Sequence, residues 1–510
     1  MAQRGPNPHS SRPRSAEVVI VGAGIMGAVV AARIRELRPH ASVLMVDAGP
    51  PLGSALGHHL HDTPDEEMRS QFLARAERAN QERYMSRGGA DAGRDLTAVP
   101  PGMHPLAGFG HDTAQMPGAS IGWNLGGMSV HWAAATPTPF GSEIPAEIDR
   151  QEWDSDLLTA QRLLHVHPAA YPSDAVGDAV LEVVQDTLEG RGAEGRHPQP
   201  MPVAMQPHSD GRLHRTGPGA VFPAIERGGD DFFELQHSTI VRRVLTEDGR
   251  ATGVVVRALD SDQESVVHAP VVVICADTMR TPQLLFASGL GGPAVGRHLN
   301  EHAFLAGTIL VDLQRLGVRE TTPHLDGEWF TSASWLPHSD EEQPFQAQIM
   351  QTPVDGGADS PQEFAVTMAF YVPTEVRADN RIEFSAEEED IIGMPRMTVR
   401  FGYTPKDEAL IERARGEQAL IAERLGRFDP SQPSTLLPAG SSLHYTGTAR
   451  LGSSADGSSV CDPDGRVWGC EGVLVAGNAV VPTALVANST LAGAVTAVRA
   501  GRAAARLLGG

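Results

Sequence analysis

The sequence has almost no lysine, little cysteine and no long apolar run. Lys406 is its single lysine, so arginine supplies nearly all of the positive charge. Three cysteines, Cys275, Cys461 and Cys470, are too few for a disulfide framework, and their spacing matches no zinc motif. The absence of 18 consecutive apolar residues argues against a membrane-spanning helix. A reducing, cytoplasmic environment fits these absences best.

The chain also lacks a surplus of basic residues. Its 41 lysines and arginines stand against 63 acidic residues, which gives a formal net charge of -22. This charge repels the phosphates of nucleic acid and of anionic lipid, so we expect neither as a partner. Residues 1–15 are rich in Pro, Arg and Ser and lack the apolar segment of a secretory signal, which predicts a flexible arm.

What is present is a globular composition, with 41% hydrophobic and 20% charged residues. A chain of 510 residues is too long for one ordinary core and predicts at least two lobes. Apolar periodicity predicts helices and strands in a mixed α/β arrangement. The predicted strands are 17–21, 42–46, 239–245, 251–257, 271–275 and 472–476. The first predicted helix is 24–37, and the last two are 406–425 and 491–508.

Residues 51–95 are polar and charged and contain a predicted helical run at 66–84. His58, His59 and His61 lie together in this region, but no carboxylate or cysteine stands at a convincing ligand spacing. The pattern therefore favours a solvated loop over a metal site. No metal is expected.

A dinucleotide-binding motif lies between the first predicted strand and helix. Gly22, Gly24 and Gly27 form G-x-G-x-x-G, and Asp47 ends the next strand. These glycines permit a tight turn and a close approach of the backbone to a pyrophosphate at the helix N-terminus. Asp47 would accept hydrogen bonds from ribose hydroxyls and would repel a 2′-phosphate. The motif predicts an adenosine diphosphate group and leaves FAD and NAD both open.

The segment 124–132, Asn-Leu-Gly-Gly-Met-Ser-Val-His-Trp, continues through Thr136 and Pro137. Here the chain resembles the pyranose oxidases of the glucose-methanol-choline (GMC) oxidoreductase family. The resemblance implies FAD as the cofactor, with this segment lying along the isoalloxazine ring. It places Gly127, Met128 and Ser129 at the flavin.

The same resemblance implies that His131 forms a covalent bond to the C8 methyl group of the flavin. The alternative is a histidine that only packs against the ring. Ala133 stands where the family usually has a threonine near flavin N5 and O4. The missing hydroxyl leaves both oxygen and a quinone open as electron acceptors.

Further segments extend the resemblance along the chain. The family contacts adenine through the backbone at the position of Val241, and segments 275–289 and 295–302 match its second signature and the element that follows. Near the C-terminus, the resemblance implies His444 as the catalytic base and Asn488 as its partner. Asn478 and Thr490, in the same signature, are implied to contact the cofactor.

Substrate contacts are implied by the stretch 345–349, in which Gln348 matches a glutamine that pyranose oxidases direct at a sugar hydroxyl. Thr352 replaces an acidic residue of the family, and Ala369 replaces an arginine. Both replacements remove a charged sugar contact. The pocket is therefore expected to differ from that of the enzymes that oxidise free glucose at C2.

These observations predict a two-domain α/β protein of the GMC and p-hydroxybenzoate hydroxylase-like architecture. A Rossmann-like FAD-binding domain would comprise residues 16–150, 200–302 and 436–510, and a sheet-rich α+β substrate domain residues 151–199 and 303–435. The expected function is oxidation of a secondary alcohol of a pyranose sugar or glycoside, at C2 or C3, with electrons passed to oxygen or a quinone. A sterol or simple alcohol oxidase and a non-catalytic flavin-binding protein are the alternatives, and a monomer or small homo-oligomer is expected.

Overall fold

The computed structural model describes residues 14–53, 55–63, 70, 99, 101–208, 212–319, 328, 330–354, 363–486 and 488–509. The helices within these ranges are α1 (Ile25–Leu37), α2 (Arg150–Leu163), α3 (Ala175–Thr187), α4 (Pro218–Val221), α5 (Asp277–Ala287), α6 (Pro405–Leu425) and α7 (Thr490–Leu507). The predicted helical run 66–84 lies, apart from residue 70, outside the described residues.

The strands of the described residues are numbered in chain order. They are β1 (Arg14–Ser15), β2 (Val18–Val21), β3 (Val43–Val46), β4 (Gly102–Pro105), β5 (Ser120–Trp123), β6 (Val166–His167), β7 (Gln199–Pro200), β8 (Val203–Pro207), β9 (Leu213–Arg215), β10 (Gly229–Asp230), β11 (Phe233–Gln236), β12 (Thr239–Glu247), β13 (Arg250–Ala258), β14 (Glu264–His268), β15 (Val271–Ile274), β16 (Ala303–Val311), β17 (Ser332–Leu336), β18 (Gln346–Val354), β19 (Glu363–Val372), β20 (Arg381–Glu389), β21 (Pro395–Arg400), β22 (Gly426–Phe428), β23 (Thr435–Leu436) and β24 (Val473–Val475).

A six-stranded sheet with the order β10-β11-β3-β2-β15-β24 forms the centre of the first lobe. Its five strands from β11 to β24 pair in parallel, and only β10 runs antiparallel to its neighbour. Strands β2, β3 and β15 are short apolar runs that are buried along their whole length, as in sheets covered by helices. Helices α1 and α7 pack on each other and on this sheet. The predicted βαβ start is confirmed.

A second sheet carries its own hydrophobic core. Strands β22-β16-β19-β18-β17-β7 pair antiparallel in this order, with β23 beside β16. Helices α3 and α6 cover the sheet and contribute Val180 and Ile421 to a core that also contains Phe345, Phe364 and Phe370. Helix α6 begins with a capping box, in which Thr404 and Asp407 exchange side-chain and backbone hydrogen bonds. Two cores agree with the two lobes that the chain length predicts.

Helix α2 belongs by its packing to the first lobe, since it lies against α7. Its buried Asp156 accepts hydrogen bonds from Arg499 at 3.0 Å and from Arg502 at 2.5 and 3.0 Å. Residues 151–199 were predicted to lie in the substrate domain, whereas within this range α3 packs on the second sheet and α2 does not. We therefore propose the predicted division into domains with α2 moved to the FAD-binding domain.

We expect Asp156→Ala to lower the free energy of unfolding by about 3 kcal/mol, because it leaves two arginines without their shared buried carboxylate. Asp154 on the same helix pairs with Arg150 in solvent, so Asp154→Ala is the matched control and should cost less than about 1 kcal/mol. Urea denaturation followed by tryptophan fluorescence measures both. Equal losses in the two variants would contradict the assigned role of the buried cluster.

Two local predictions need correction. Arg14 and Ser15, assigned to the flexible arm, form β1 and pair in parallel with β14, while residues 1–13 lie outside the described residues. His59 and His61, expected in a solvated loop, are 1% and 0% exposed. His59 Nε2 lies 2.8 Å from the carbonyl oxygen of Trp132, so a long-range contact buries this polar segment.

None of the helices in the described part of the chain is long and apolar enough to cross a membrane.

Candidate active site

A cavity of about 500 Å³ connects the glycine-rich turn after β2 with the second sheet. It lies at the carboxyl ends of parallel strands, where ligands bind in open α/β sheets. Fourteen of the fifteen predicted site residues line it: Gly22, Gly24, Asp47, Gly127, Met128, Ser129, His131, Ala133, Val241, Gln348, His444, Asn478, Asn488 and Thr490. Residues more than 460 positions apart in the sequence thus meet in one cavity.

The three motif glycines are required for three different reasons. Gly22 has a φ of 103°, and a Cβ there would overlap the carbonyl oxygen of Cys275 on the neighbouring strand. A Cβ on Gly27, which does not line the cavity, would overlap the Gly22 carbonyl oxygen, so this glycine allows the helix to pack on the turn. A Cβ on Gly24 would meet nothing closer than Gly126 O at 3.4 Å, and Gly24 faces the cavity. Space for a ligand is therefore left at Gly24.

Asp47 holds the glycine-rich turn while it lines the cavity. Its carboxylate accepts hydrogen bonds from the backbone N–H of Ala23 and of Gly49, both at 2.7 Å. Burial raises the pKa of Asp47 to about 6, and these backbone donors oppose the rise. Each carboxylate oxygen has a second lone pair, so the predicted hydrogen bonds to ribose hydroxyls remain compatible with the geometry.

Two helix N-termini point at this cavity, and neither has a side-chain cap. Helix α1 follows Gly24 and α7 follows Ser489, both without a capping hydrogen bond and without an acidic residue in the first turn. Such ends expose backbone N–H groups and a partial positive charge, which suit a pyrophosphate or another electron-rich group. Together with the space at Gly24, they fit a dinucleotide such as FAD.

His131 lies in the middle of the cavity, at the end of a short 3-10 turn, Gly127–Val130. Its Nε2 is 2.7 Å from Asn124 Oδ1, whose amide nitrogen donates to the carbonyl oxygens of Leu125 and Gly127. Burial lowers the pKa of His131 to about 3, so the ring is neutral at physiological pH. Because Asn124 presents an oxygen, Nε2 carries the proton and Nδ1 the lone pair. Asn124 is the first residue of the segment 124–132, but the sequence predicted no role for its side chain.

His444 lines the cavity, and polar and aromatic side chains surround its ring. Its Nε2 lies 3.1 Å from Asn488 Nδ2, and its Nδ1 lies 2.7 Å from His302 Nε2. The ring centroid of Tyr371 is 5.3 Å away. Burial, with a smaller contribution from His302, lowers the pKa of His444 well below its ordinary value. The imidazole is therefore neutral and available to accept a proton.

Asn488 is oriented by two glutamines on strand β18. Its Oδ1 accepts hydrogen bonds from Gln348 Nε2 and from Gln346 Nε2, the latter at 3.3 Å. This arrangement directs the amide N–H of Asn488 at His444. Gln348, predicted to contact substrate, lines the cavity and also holds Asn488. Gln346 received no role from the sequence, because a contact across 142 residues has no local signal.

The remaining predicted positions lie around this centre. Val241 borders the cavity where strand β12 has an irregular register between Val241 and Arg243. Ala369 is the cross-strand neighbour of Gln348, so the replaced arginine position lies beside the predicted substrate contact. Thr352 pairs with Ala365, four residue pairs further along the same ladder, and does not line the cavity.

A Rossmann-like sheet, a turn that fits a dinucleotide and a neutral histidine beside an amide are the features expected of a dinucleotide-dependent oxidoreductase. Sequence models of the GMC oxidoreductase family match residues 188–304 and 376–497. The chain belongs to the GMC oxidoreductase family, whose members use FAD to oxidise CH–OH groups, and it is an enzyme of this class.

Individual relatives match nearly the whole chain. A C-glycoside 3-oxidase of Microbacterium trichothecenolyticum is 34% identical over 506 residues, covering 96% of each chain. A second one, from Arthrobacter globiformis, is also 34% identical and covers 97% of this chain and 95% of its own. A pyranose 2-oxidase of Tricholoma matsutake is 26% identical over 81% of this chain and 78% of its own. The crystal structure of pyridoxine 4-oxidase from Mesorbium loti shares the fold, with a TM-score of 0.64 at 17% identity over 96% of this chain and 99% of that one.

Proposed function

We propose that the protein oxidises a secondary alcohol of a pyranose sugar or glycoside to a ketone. The observation that carries the proposal is the His444–Asn488 pair, which lines the same cavity as the turn that fits a dinucleotide. The names of the relatives supply the substrate class, and the higher identity to the two C-glycoside 3-oxidases favours oxidation at C3 of a glycoside over C2 of free glucose.

In the proposed mechanism, His444 is the general base and Asn488 orients the reacting hydroxyl. The substrate hydroxyl donates to His444 Nε2, which takes the proton as the hydrogen on carbon leaves with its electron pair. FAD bound in the cavity would accept that hydride and later pass the electrons to oxygen, giving hydrogen peroxide, or to a quinone. The Asn488 N–H can hydrogen-bond the substrate oxygen without taking its proton.

Around the reacting group, the wall of the cavity suits a sugar. Tyr371 and Phe304 stack with centroids 5.0 Å apart, beside Gln348 and Met350. An aromatic face suits the C–H face of a pyranose ring, and an amide suits its hydroxyls. Ala369, the cross-strand neighbour of Gln348, brings no charge behind this wall, so the charged sugar contact of the family is absent here.

A panel of glucose, a C-glucoside and cholesterol, with either oxygen or a quinone as acceptor, tests this function. We expect turnover of the C-glucoside, with a 3-keto product identified by NMR. A 2-keto product from glucose would show that the enzyme oxidises C2 and would refute the proposed oxidation at C3. Turnover of cholesterol alone, or a purified protein without flavin absorbance, would overturn the proposal.

We also propose that His131 attaches FAD covalently, supported by its neutral ring and its place in the cavity wall. Acid precipitation of the wild-type protein is then expected to leave the flavin in the pellet, whereas His131→Ala should release it into the supernatant. His197→Ala, at an exposed histidine, is the matched control and should keep the flavin bound. Flavin recovered from the wild-type supernatant would refute the covalent bond.

A further inference from the structure

The residue pair just before strand β16 supports the segment that carries His444. Glu301 and His302 are both 2% exposed. The Glu301 carboxylate accepts hydrogen bonds from the backbone N–H of Gly440 at 2.5 Å and from the Ser442 backbone and hydroxyl at 3.1 and 2.6 Å. His302 lies against the His444 ring, with centroids 4.8 Å apart in an edge-to-face arrangement. His302 does not line the cavity.

The hydrogen bonds of His302 determine where the protons lie. His302 Nδ1 is 3.1 Å from the carbonyl oxygen of Leu485, which can only accept, so Nδ1 carries the proton. In the neutral ring, Nε2 is then an acceptor, and it faces His444 Nδ1 at 2.7 Å. His444 Nδ1 must therefore carry a proton, which leaves the lone pair on Nε2.

The hydrogen bonds on the Nε2 side of His444 independently indicate the same tautomer. Gln346 and Gln348 donate to Asn488 Oδ1, so the Asn488 amide nitrogen faces His444 Nε2 as a donor. A donor at this position requires a lone pair on Nε2. Two separate sets of hydrogen bonds, one from Leu485 and one from strand β18, select one tautomer of His444.

We propose that His302 is a positioning residue for the reaction: it accepts the Nδ1 proton of His444 and thereby keeps the lone pair of His444 on Nε2, toward the cavity. This inference rests on the proposed function, in which His444 is the base. Because His302 does not line the cavity, it would act on the reaction through His444. Without it, the His444 ring could place its proton on Nε2 and lose its ability to accept the substrate proton.

Two variants separate this role from simple packing. His302→Leu keeps the approximate size and removes the acceptor. His302→Gln can accept from His444 Nδ1 through its carbonyl oxygen and donate to Leu485 O through its amide, so it can restore the tautomer. We expect kcat of His302→Leu to fall by about 100-fold, the size typical of a general-base effect, with KM within about threefold of wild type. His302→Gln should recover to within about tenfold of the wild-type kcat.

The direct test is ¹⁵N NMR of the flavin-loaded protein with labelled histidine, in which His444→Ala identifies the His444 signals. We expect a protonated Nδ1 and an unprotonated Nε2 in the wild type and in His302→Gln, and a mixed or reversed pattern in His302→Leu. A wild-type His444 protonated on Nε2 would overturn the proposal, even if His302→Leu fails to fold. Equal impairment of the Leu and Gln variants would also overturn it.

The two proposals fail in distinguishable ways. If His444→Ala keeps full turnover, His444 is not the base and the proposed function is wrong, whereas the tautomer remains readable by NMR. If His444→Ala is inactive but His302→Leu has wild-type kcat, only the role of His302 is refuted.

Discussion

His444→Ala is expected to lower kcat by about 10²- to 10⁴-fold, the range that a positioned general base contributes. The side chain is half-buried and neutral, and its Nε2 faces the cavity beside Asn488. Alanine leaves the substrate proton without an acceptor there, while the glycine-rich turn and the helix N-termini are unchanged. Steady-state kinetics with the substrate found in the panel, at equal flavin content, measures the loss.

His197→Ala is the control for His444→Ala, because His197 is exposed and lies outside the cavity. This variant should keep the wild-type kcat. Added imidazole should restore part of the activity of His444→Ala if the space left by the ring admits it, since the missing group is a proton acceptor. Full turnover by His444→Ala would show that His444 is not the general base and would refute the proposed mechanism.

The nucleotide-binding part of the fold could be predicted because its requirements are local. Gly22, Gly24, Gly27 and Asp47 stand at fixed spacing around one turn, and the apolar runs of β2 and β3 leave little doubt about the strands. Helix α6 was predicted to within one residue: the sequence placed its start at Lys406, and the structure begins it at Pro405, a residue type favoured at the first helical position. In such segments, short-range geometry and hydrophobic pattern decide the structure.

The arrangement around the histidine base could not be predicted in the same way. The roles of His302 and Gln346 come from contacts with residues that the sequence does not place together, each 142 residues away. Gln348 was predicted to contact the substrate, but its amide also binds Asn488, which lies 140 residues away in the sequence. Polar residues at such sites have no periodic signal, since each is placed by a different element.

His59 and His61 were predicted to lie in a solvated loop, but both are buried. Their polar neighbours suggested solvent, yet the segment packs beneath Trp132 and Arg215, and the pKa of His59 is lowered to about 3, chiefly by burial. A buried polar group is stable when it has hydrogen-bond partners, and these partners lie 73 and 154 residues away. Local polarity is therefore a weak guide to burial when distant elements can supply partners.

Gly24→Val is expected to leave the protein folded and to reduce its flavin content to less than about a tenth of the wild-type value, since this glycine allows the close approach of a pyrophosphate. Gly24 has ordinary backbone angles, with φ -70° and ψ -178°, so a side chain is tolerated by the chain itself. The added methyl groups would occupy the part of the cavity that lies before the N-terminus of α1. The flavin-to-protein ratio from visible absorbance, with far-UV circular dichroism, measures both effects.

Three comparisons make the Gly24 result specific. Gly24→Ala should reduce flavin content less than valine does, because its single methyl group meets Gly126 O at 3.4 Å and Ser129 Oγ at 3.8 Å without overlap. Gly416→Val, on the exposed face of α6 with nothing near its Cβ, should keep full flavin content. Gly27→Ala should lose stability as well as flavin, because its Cβ would overlap the backbone of Gly22. If Gly24→Val retains its flavin, the dinucleotide does not bind at Gly24. If the variant unfolds instead, Gly24 is required for packing and not for the space of a ligand.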